Sequence, residues 1–153
     1  MFIQWIRSRV LPFAVTYVAV IGVATSATAN DTTNMSWYAN TRKTIEDGVT
    51  VTSEGTAEFA TGEKAHVVLK GVADPHAAWY RGTGTIDSVY QFDDGSSFTL
   101  RYVQIWDAIR NRATGLFGEG TGRFAGIRGE ATGRGEASGG PISWTGTYTL
   151  PKK

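Results

Sequence analysis

Two histidines, His66 and His76, are the only imidazoles in the 153-residue chain, and cysteine is absent. A catalytic zinc takes three protein ligands, which here would mean both histidines with Glu54 or Glu58. One histidine falls in a strand-like run and the other in a loop, so no metal site and no cofactor is expected. Without cysteine there is no thiolate nucleophile and no disulfide framework. Serine, histidine and aspartate are all present, but no G-x-S-x-G sequence accompanies them. Among the ionisable residues inside strand-like runs, Glu54, Glu58, Asp87 and Arg101 are the ones whose orientation separates a catalytic from a surface role. A carboxylate turned into an apolar interior would have a raised pKa and suit proton transfer. Alternation with Val51, Ala57 and Phe59 turns Glu54 and Glu58 outward instead. Arg101 shares a face with Val103 and Ile105, so an outward pair with Asp87 across a hairpin is expected. The run Gly120-Thr121-Gly122-Arg123-Phe124-Ala125 fits G-x-G-x-x-A, yet that pattern holds pyrophosphate only where a helix follows it. Here the following residues alternate as a strand.

The remaining candidates are aromatic. Tyr90, Phe92, Phe98, Tyr102, Trp106, Trp144 and Tyr148 form the candidate ligand-binding set. Such rings either fill a small barrel or wall a pocket for one small ligand, because eight strands enclose little more than side chains.

The elements that must position them are strands. In residues 127–136, Ile127, Gly129, Ala131, Gly133 and Gly135 alternate with Arg128, Glu130, Thr132, Arg134 and Glu136, a period of two. Residues 142–150 repeat it with Ile142, Trp144, Gly146, Tyr148 and Leu150 on one face. A bare face beside a bulky one predicts that rings occupy the space the glycines leave, and inner glycines let a sheet coil into a barrel. The runs 49–59, 65–70, 80–92, 97–106 and 116–119 read as further strands, and 41–45 as a first one after a frayed 30–35. Asp47-Gly48 and Asp93-Asp94-Gly95-Ser96 are turn signals. Residues 71–76 read as a loop and 107–113 as room for a short helical turn. Val103 and Ile105 make the run 97–106 apolar on both faces near its end, which predicts a cover or a subunit contact there.

Composition agrees with an all-β domain: 19 glycines, 12% aromatic and 19% charged residues. Residues 1–9 carry Arg7 and Arg9, residues 10–23 are apolar, and Ala27-Thr28-Ala29 closes a small-residue stretch, the order of a secretory signal peptide. The 14-residue apolar run is short of the roughly 20 residues a spanning helix needs. The expected organisation is a signal peptide at 1–29 and a β-barrel domain at 30–153, secreted or periplasmic, with no membrane association after cleavage; the alternative is a segment retained as an uncleaved anchor. Without Arg7 and Arg9 the 15 basic residues become 13 against 14 acidic ones, a formal charge of −1. A near-neutral domain lacks the field that gathers nucleic acid.

The run from Gly120 through Arg123, Phe124 and Gly126 to Gly129, preceded by Tyr90-Gln91-Phe92-Asp93-Asp94-Gly95-Ser96 and followed by Gly146-Thr147-Tyr148, resembles the allene oxide cyclase barrel superfamily. That group includes the dirigent proteins and lipocalin-like relatives. The resemblance covers about residues 82–150 and rests on structural glycines and turns. It implies an eight-stranded antiparallel barrel with an apolar cavity, dimeric or trimeric assembly, and in some members cyclisation or radical coupling of hydrophobic substrates. No catalytic motif of the cyclases aligns with residues here. The expected function is therefore binding of a small hydrophobic or aromatic molecule inside an exported barrel. A cofactor-independent cyclase or isomerase is the enzymatic alternative, and a filled barrel with a structural or assembly role, a homo-oligomer, the third.

Overall fold

The computed structural model describes residues 31–46, 49–78, 80–136 and 140–152, with the backbone alone at 42–46. The expected export signal at 1–29 and the Asp47-Gly48 turn lie outside the described residues.

Alternation of side-chain size produces eight strands: β1 Thr33–Glu46, β2 Thr50–Phe59, β3 Lys64–Ala73, β4 Gly82–Phe92, β5 Ser97–Trp106, β6 Asn111–Thr121, β7 Arg128–Gly135 and β8 Ile142–Thr149. Each pairs antiparallel with the next, and β8 returns to β1, so the sheet closes as a barrel with no free edge. In β5, Phe98, Leu100, Tyr102, Gln104 and Trp106 are buried while Arg101, Val103 and Ile105 face solvent. Period-two patterning thus places the core inside the cylinder, as the sequence predicts for an all-β antiparallel barrel.

Glycines set which rings fit. Gly133 lies in register with Trp144, Gly115 with Tyr102 and Gly82 with Trp106. A Cβ at Gly82 would stand 2.5 Å from Trp106 Cζ2, and one at Gly133 2.9 Å from Trp144 Cδ2. The bulky residue of each pair lies over the bare residue of its neighbour, so the glycine wall is covered rather than hollow.

Four elements differ from the sequence reading. The first strand begins at Thr33 rather than 41, because Thr33–Ala39 pairs with β8 and closes the barrel. β3 continues through Gly71, Val72 and Ala73, which pair with Ile86, Thr85 and Gly84 of β4; only from Asp74 does the expected loop begin. The expected helical turn at 107–113 is a tight connection capped by Asp107, whose Oδ1 accepts the N–H groups of Ile109 at 2.9 Å and Arg110 at 2.8 Å. β6 then starts at Asn111, well before the expected 116, and contains a bulge where Ser97 pairs with Thr121 but Thr99 with Gly118. The extra residue turns Glu119 to φ 48° and bends β6 near its end.

The Asp93–Ser96 hairpin is as the sequence predicts. Gly95 takes φ 79°, Phe92 N–H donates to Ser96 O at 2.9 Å, and Asp94 accepts both the N–H and the hydroxyl of Ser96. These Ser96 hydrogen bonds hold the Asp94 carboxyl below its ordinary range. No helix among the described residues is long and apolar enough to cross a membrane.

Candidate functional site

The interior divides into a ring half and a hydrogen-bonded half. The ring half lies toward the end of the barrel that carries the β2–β3 and β4–β5 hairpins and a 3-10 turn at Gly122–Phe124. Its hub is Trp37, stacked on Trp144 with centroids 5.7 Å apart and planes within 5°, and on Phe59 at 5.7 Å. Tyr90 and Phe98 meet Trp37 edge-on at 5.8 and 6.4 Å and stack on each other at 4.7 Å. Offset and edge contacts of this kind are how ring quadrupoles pack best.

The other half holds the buried Ser88, Gln104 and Asn111. Ser88 Oγ donates to Tyr102 Oη at 3.2 Å, Gln104 Nε2 donates to Asn111 Oδ1, and Trp106 Nε1 donates to Ala78 O at 2.8 Å. Burial pushes the phenols of both Tyr90 and Tyr102 well above their ordinary value. A small cavity with Val67, Leu69, Ser88, Tyr90, Tyr102 and Trp144 among its walls measures about 10 Å³. That is room for roughly one water molecule.

A larger space opens at the ring end. A groove of about 700 Å³ runs over the mouth of the barrel, with Met35, Phe59, Phe92, Phe124 and Tyr148 among its walls and Thr33, Ser36, Thr145 and Thr147 along one side. Phe92 touches Phe59 and Phe124, each at 5.1 Å, so the groove floor is the outer layer of the ring core. The ionisable carboxylates and guanidinium on its walls are Glu63, Arg123 and Glu130. Arg123 spans the mouth: its guanidinium lies 4.6 Å above Phe92 and 4.9 Å above Phe124, donates to Glu63 at 2.6 Å, and comes within 3.6 Å of Asp94.

The seven rings singled out in the sequence therefore separate. Tyr90, Phe98, Tyr102 and Trp144 pack inside, against each other and Trp37; Phe92 and Tyr148 reach the groove; Trp106 closes the far end against Ala78. Trp37, Phe59, Phe117 and Phe124 belong to the same core and were not in that set. Phe59 was readable from its alternation with Ala57. Phe124 sits in a 3-10 turn and Trp37 in a stretch whose strand character depends on pairing with β8, so neither carries a local signal.

Glu54 and Glu58 are exposed, as alternation predicts. Asp87 and Arg101 sit directly opposite each other and form a two-pronged pair on the outer face, at 2.7 and 2.8 Å. The Arg101 hydrogen bond holds the Asp87 carboxyl below its ordinary range. His66 Nε2 lies 3.1 Å from Glu54 Oε1 at the surface, while the backbone N–H of His76 donates to Asp74 Oδ1 at 2.7 Å in the loop after β3. Among the described residues, no cluster of three or more metal-ligating side chains forms. The G-x-G-x-x-A run covers the end of β6 and the 3-10 turn, and the next element is strand β7, so no α-helix N-terminus follows it to hold a pyrophosphate. Gly120 is needed there for close approach, since a Cβ would stand 1.9 Å from Phe124 O.

The chain matches no protein-family model, and no curated protein matches it.

Proposed function

We propose that the protein is an exported small barrel that binds a small hydrophobic or aromatic molecule, seated in the groove at the ring end. The observation that carries this reading is the groove itself: about 700 Å³, with Met35, Phe59, Phe92, Phe124 and Tyr148 among its walls beside a row of threonines. Small-molecule sites are concave, mostly apolar and of this size. The packing of Trp37, Tyr90, Phe98 and Trp144 favours the mouth over the lumen, because a ligand in the lumen would have to displace rings already in contact. Export is read from residues 1–29, and the resemblance to the allene oxide cyclase barrel superfamily carries the same expectation of a hydrophobic ligand.

The test is native mass spectrometry of gently purified protein, followed by thermal denaturation with a panel of lipophilic compounds. A bound ligand should stabilise the fold by about 2–4 kcal/mol at 100 to 1,000 times its dissociation constant. Tyr148→Ala, at a half-buried wall position, should weaken binding. No co-purifying molecule and no stabilisation across the panel would overturn the reading.

A second reading, self-assembly as a dimer or trimer, has its own observation. Val72, Val103, Ile105 and Leu116 are 60, 50, 62 and 66% exposed on the outer face of β3 to β6. Val72 and Val103 both flank Thr85, giving a row of β-branched side chains across adjacent strands. Exposed apolar rows of this sort mark contact surfaces. Sedimentation of the protein beside Ile105→Lys tests it: an oligomer that this substitution dissociates supports assembly through this face, and a concentration-independent monomer rules it out.

A further inference from the structure

The 3-10 turn covers the ring core from outside the sheet. Residues 122–126 run between Thr121, whose hydroxyl shares a hydrogen bond with that of Ser97 at 2.8 Å, and β7, where Arg128 pairs with Thr149. Both ends of the turn are glycines in the left-handed region, Gly122 at φ 57° and Gly126 at φ 77°, a conformation glycine adopts without side-chain strain. The turn's hydrogen bonds from Ala125 N–H to Gly122 O at 3.1 Å and from Ile127 N–H to Phe124 O at 2.9 Å run within the segment. Phe124 and Arg123 tie it to the barrel, and Pro151 lies against Gly126. Phe124 is a buried plug, 5.1 Å from both Phe92 and Phe98 and 6.4 Å from Tyr148. Arg123 crosses over Phe92 to Glu63 on the β2–β3 hairpin at 2.6 Å and Asp94 on the β4–β5 hairpin at 3.6 Å, with Lys64 and Asp93 bordering the same side. One guanidinium thus joins three connections at this end of the barrel. With 39% of its side chain exposed, such a clasp holds weakly and releases readily.

We infer that residues 122–126 are a lid clasped by Arg123, and that its opening uncovers an inner hydrophobic site where Phe124 now sits. The inference rests on the binding reading above and adds a compartment beneath the groove. When Phe124 lifts, Phe92, Phe98 and Tyr148 lose a ring partner, and an apolar ligand entering from the groove, which Phe92, Phe124 and Tyr148 also wall, takes its place.

Amide hydrogen exchange by NMR on the protein and its Arg123→Met variant tests the lid, since methionine keeps an unbranched apolar stem over the rings and removes the charge. Protection of the Ala125 and Ile127 amides should fall roughly five- to ten-fold while the amides of β4 and β5 keep theirs. Salt at about 1 M should move the unmodified protein toward the variant and leave the variant unchanged. A fall shared by every amide, or no fall, would overturn the lid. The neutral fluorophore N-phenyl-1-naphthylamine then probes the inner site: it should associate several-fold faster with Arg123→Met. Local opening with an unchanged association rate would overturn the inner site, and no binding to either protein would overturn the groove reading itself.

Discussion

The indole of Trp144 lies where a side chain at position 133 would have to be: the two residues are in register on β7 and β8, and a Cβ on Gly133 would stand 2.9 Å from Trp144 Cδ2. Neither the glycine nor the tryptophan is separable from the other, and the same reciprocity recurs at Gly115 with Tyr102 and at Gly82 with Trp106.

Gly133→Ala should therefore destabilise the barrel by about 1–3 kcal/mol through overpacking against Trp144 and Ile142, read as a shift in the denaturant midpoint. Gly118→Ala is the control. Nothing lies within 4 Å of a Cβ there, so its effect should stay within about 0.5 kcal/mol. Equal effects at the two positions would show that backbone freedom, not ring packing, is what the glycines supply.

Trp144→Ala should cost about 3–5 kcal/mol, the range for truncating a large core ring, because it strips the stacked partner of Trp37 and the edge contact of Tyr102 at 4.9 Å. A loss below about 1 kcal/mol in equilibrium unfolding would mean that Trp144 faces solvent.

The buried phenols predict an alkaline limit. Tyr90 and Tyr102 are raised by burial above the unfolded value of about 10. The folded state keeps these protons where the unfolded state releases them. Their contribution is fully present below about pH 10 and is lost as pH climbs beyond it. Absorbance at 295 nm should show both phenols silent until the barrel opens, and Tyr102→Phe should reduce only the amplitude that accompanies unfolding. Ionisation of either phenol with the fold intact would contradict the packed interior.

At the surface, Asp87 titrates below the ordinary carboxylate range because Arg101 holds its ionised form. A depressed folded value means the pair adds stability above the unfolded carboxylate value of about 3.9 and loses it as pH falls through the folded one. In an NMR titration, Arg101→Leu should return the Asp87 carboxyl to the ordinary range. The effect on unfolding should be small, because both groups are exposed and screened.

Much of this barrel is legible in the amino-acid order. The period-two runs at 127–136 and 142–150, the Asp93–Ser96 turn, the outward Glu54 and Glu58, and the Asp87–Arg101 pair all follow from alternation and turn chemistry. Those signals span one strand or one hairpin, so the amino-acid order alone determines them. The same rule explains how residues rich in glycine and residues rich in rings come to lie on facing strands.

What only the tertiary structure decided is what long-range pairing decides. Thr33–Ala39 becomes a strand because β8, more than a hundred residues later, supplies its hydrogen bonds, and with it Trp37 becomes the hub of the core. The barrel's register then determines that Phe98 and Trp144 face inward against other rings while Phe92 and Tyr148 reach the mouth. It also brings Glu63 from the β2–β3 hairpin and Arg123 from the 3-10 turn together across that mouth. Alternation tells which side of a strand a residue occupies; its height along the barrel and its neighbours around the circumference depend on closure, which no local stretch encodes.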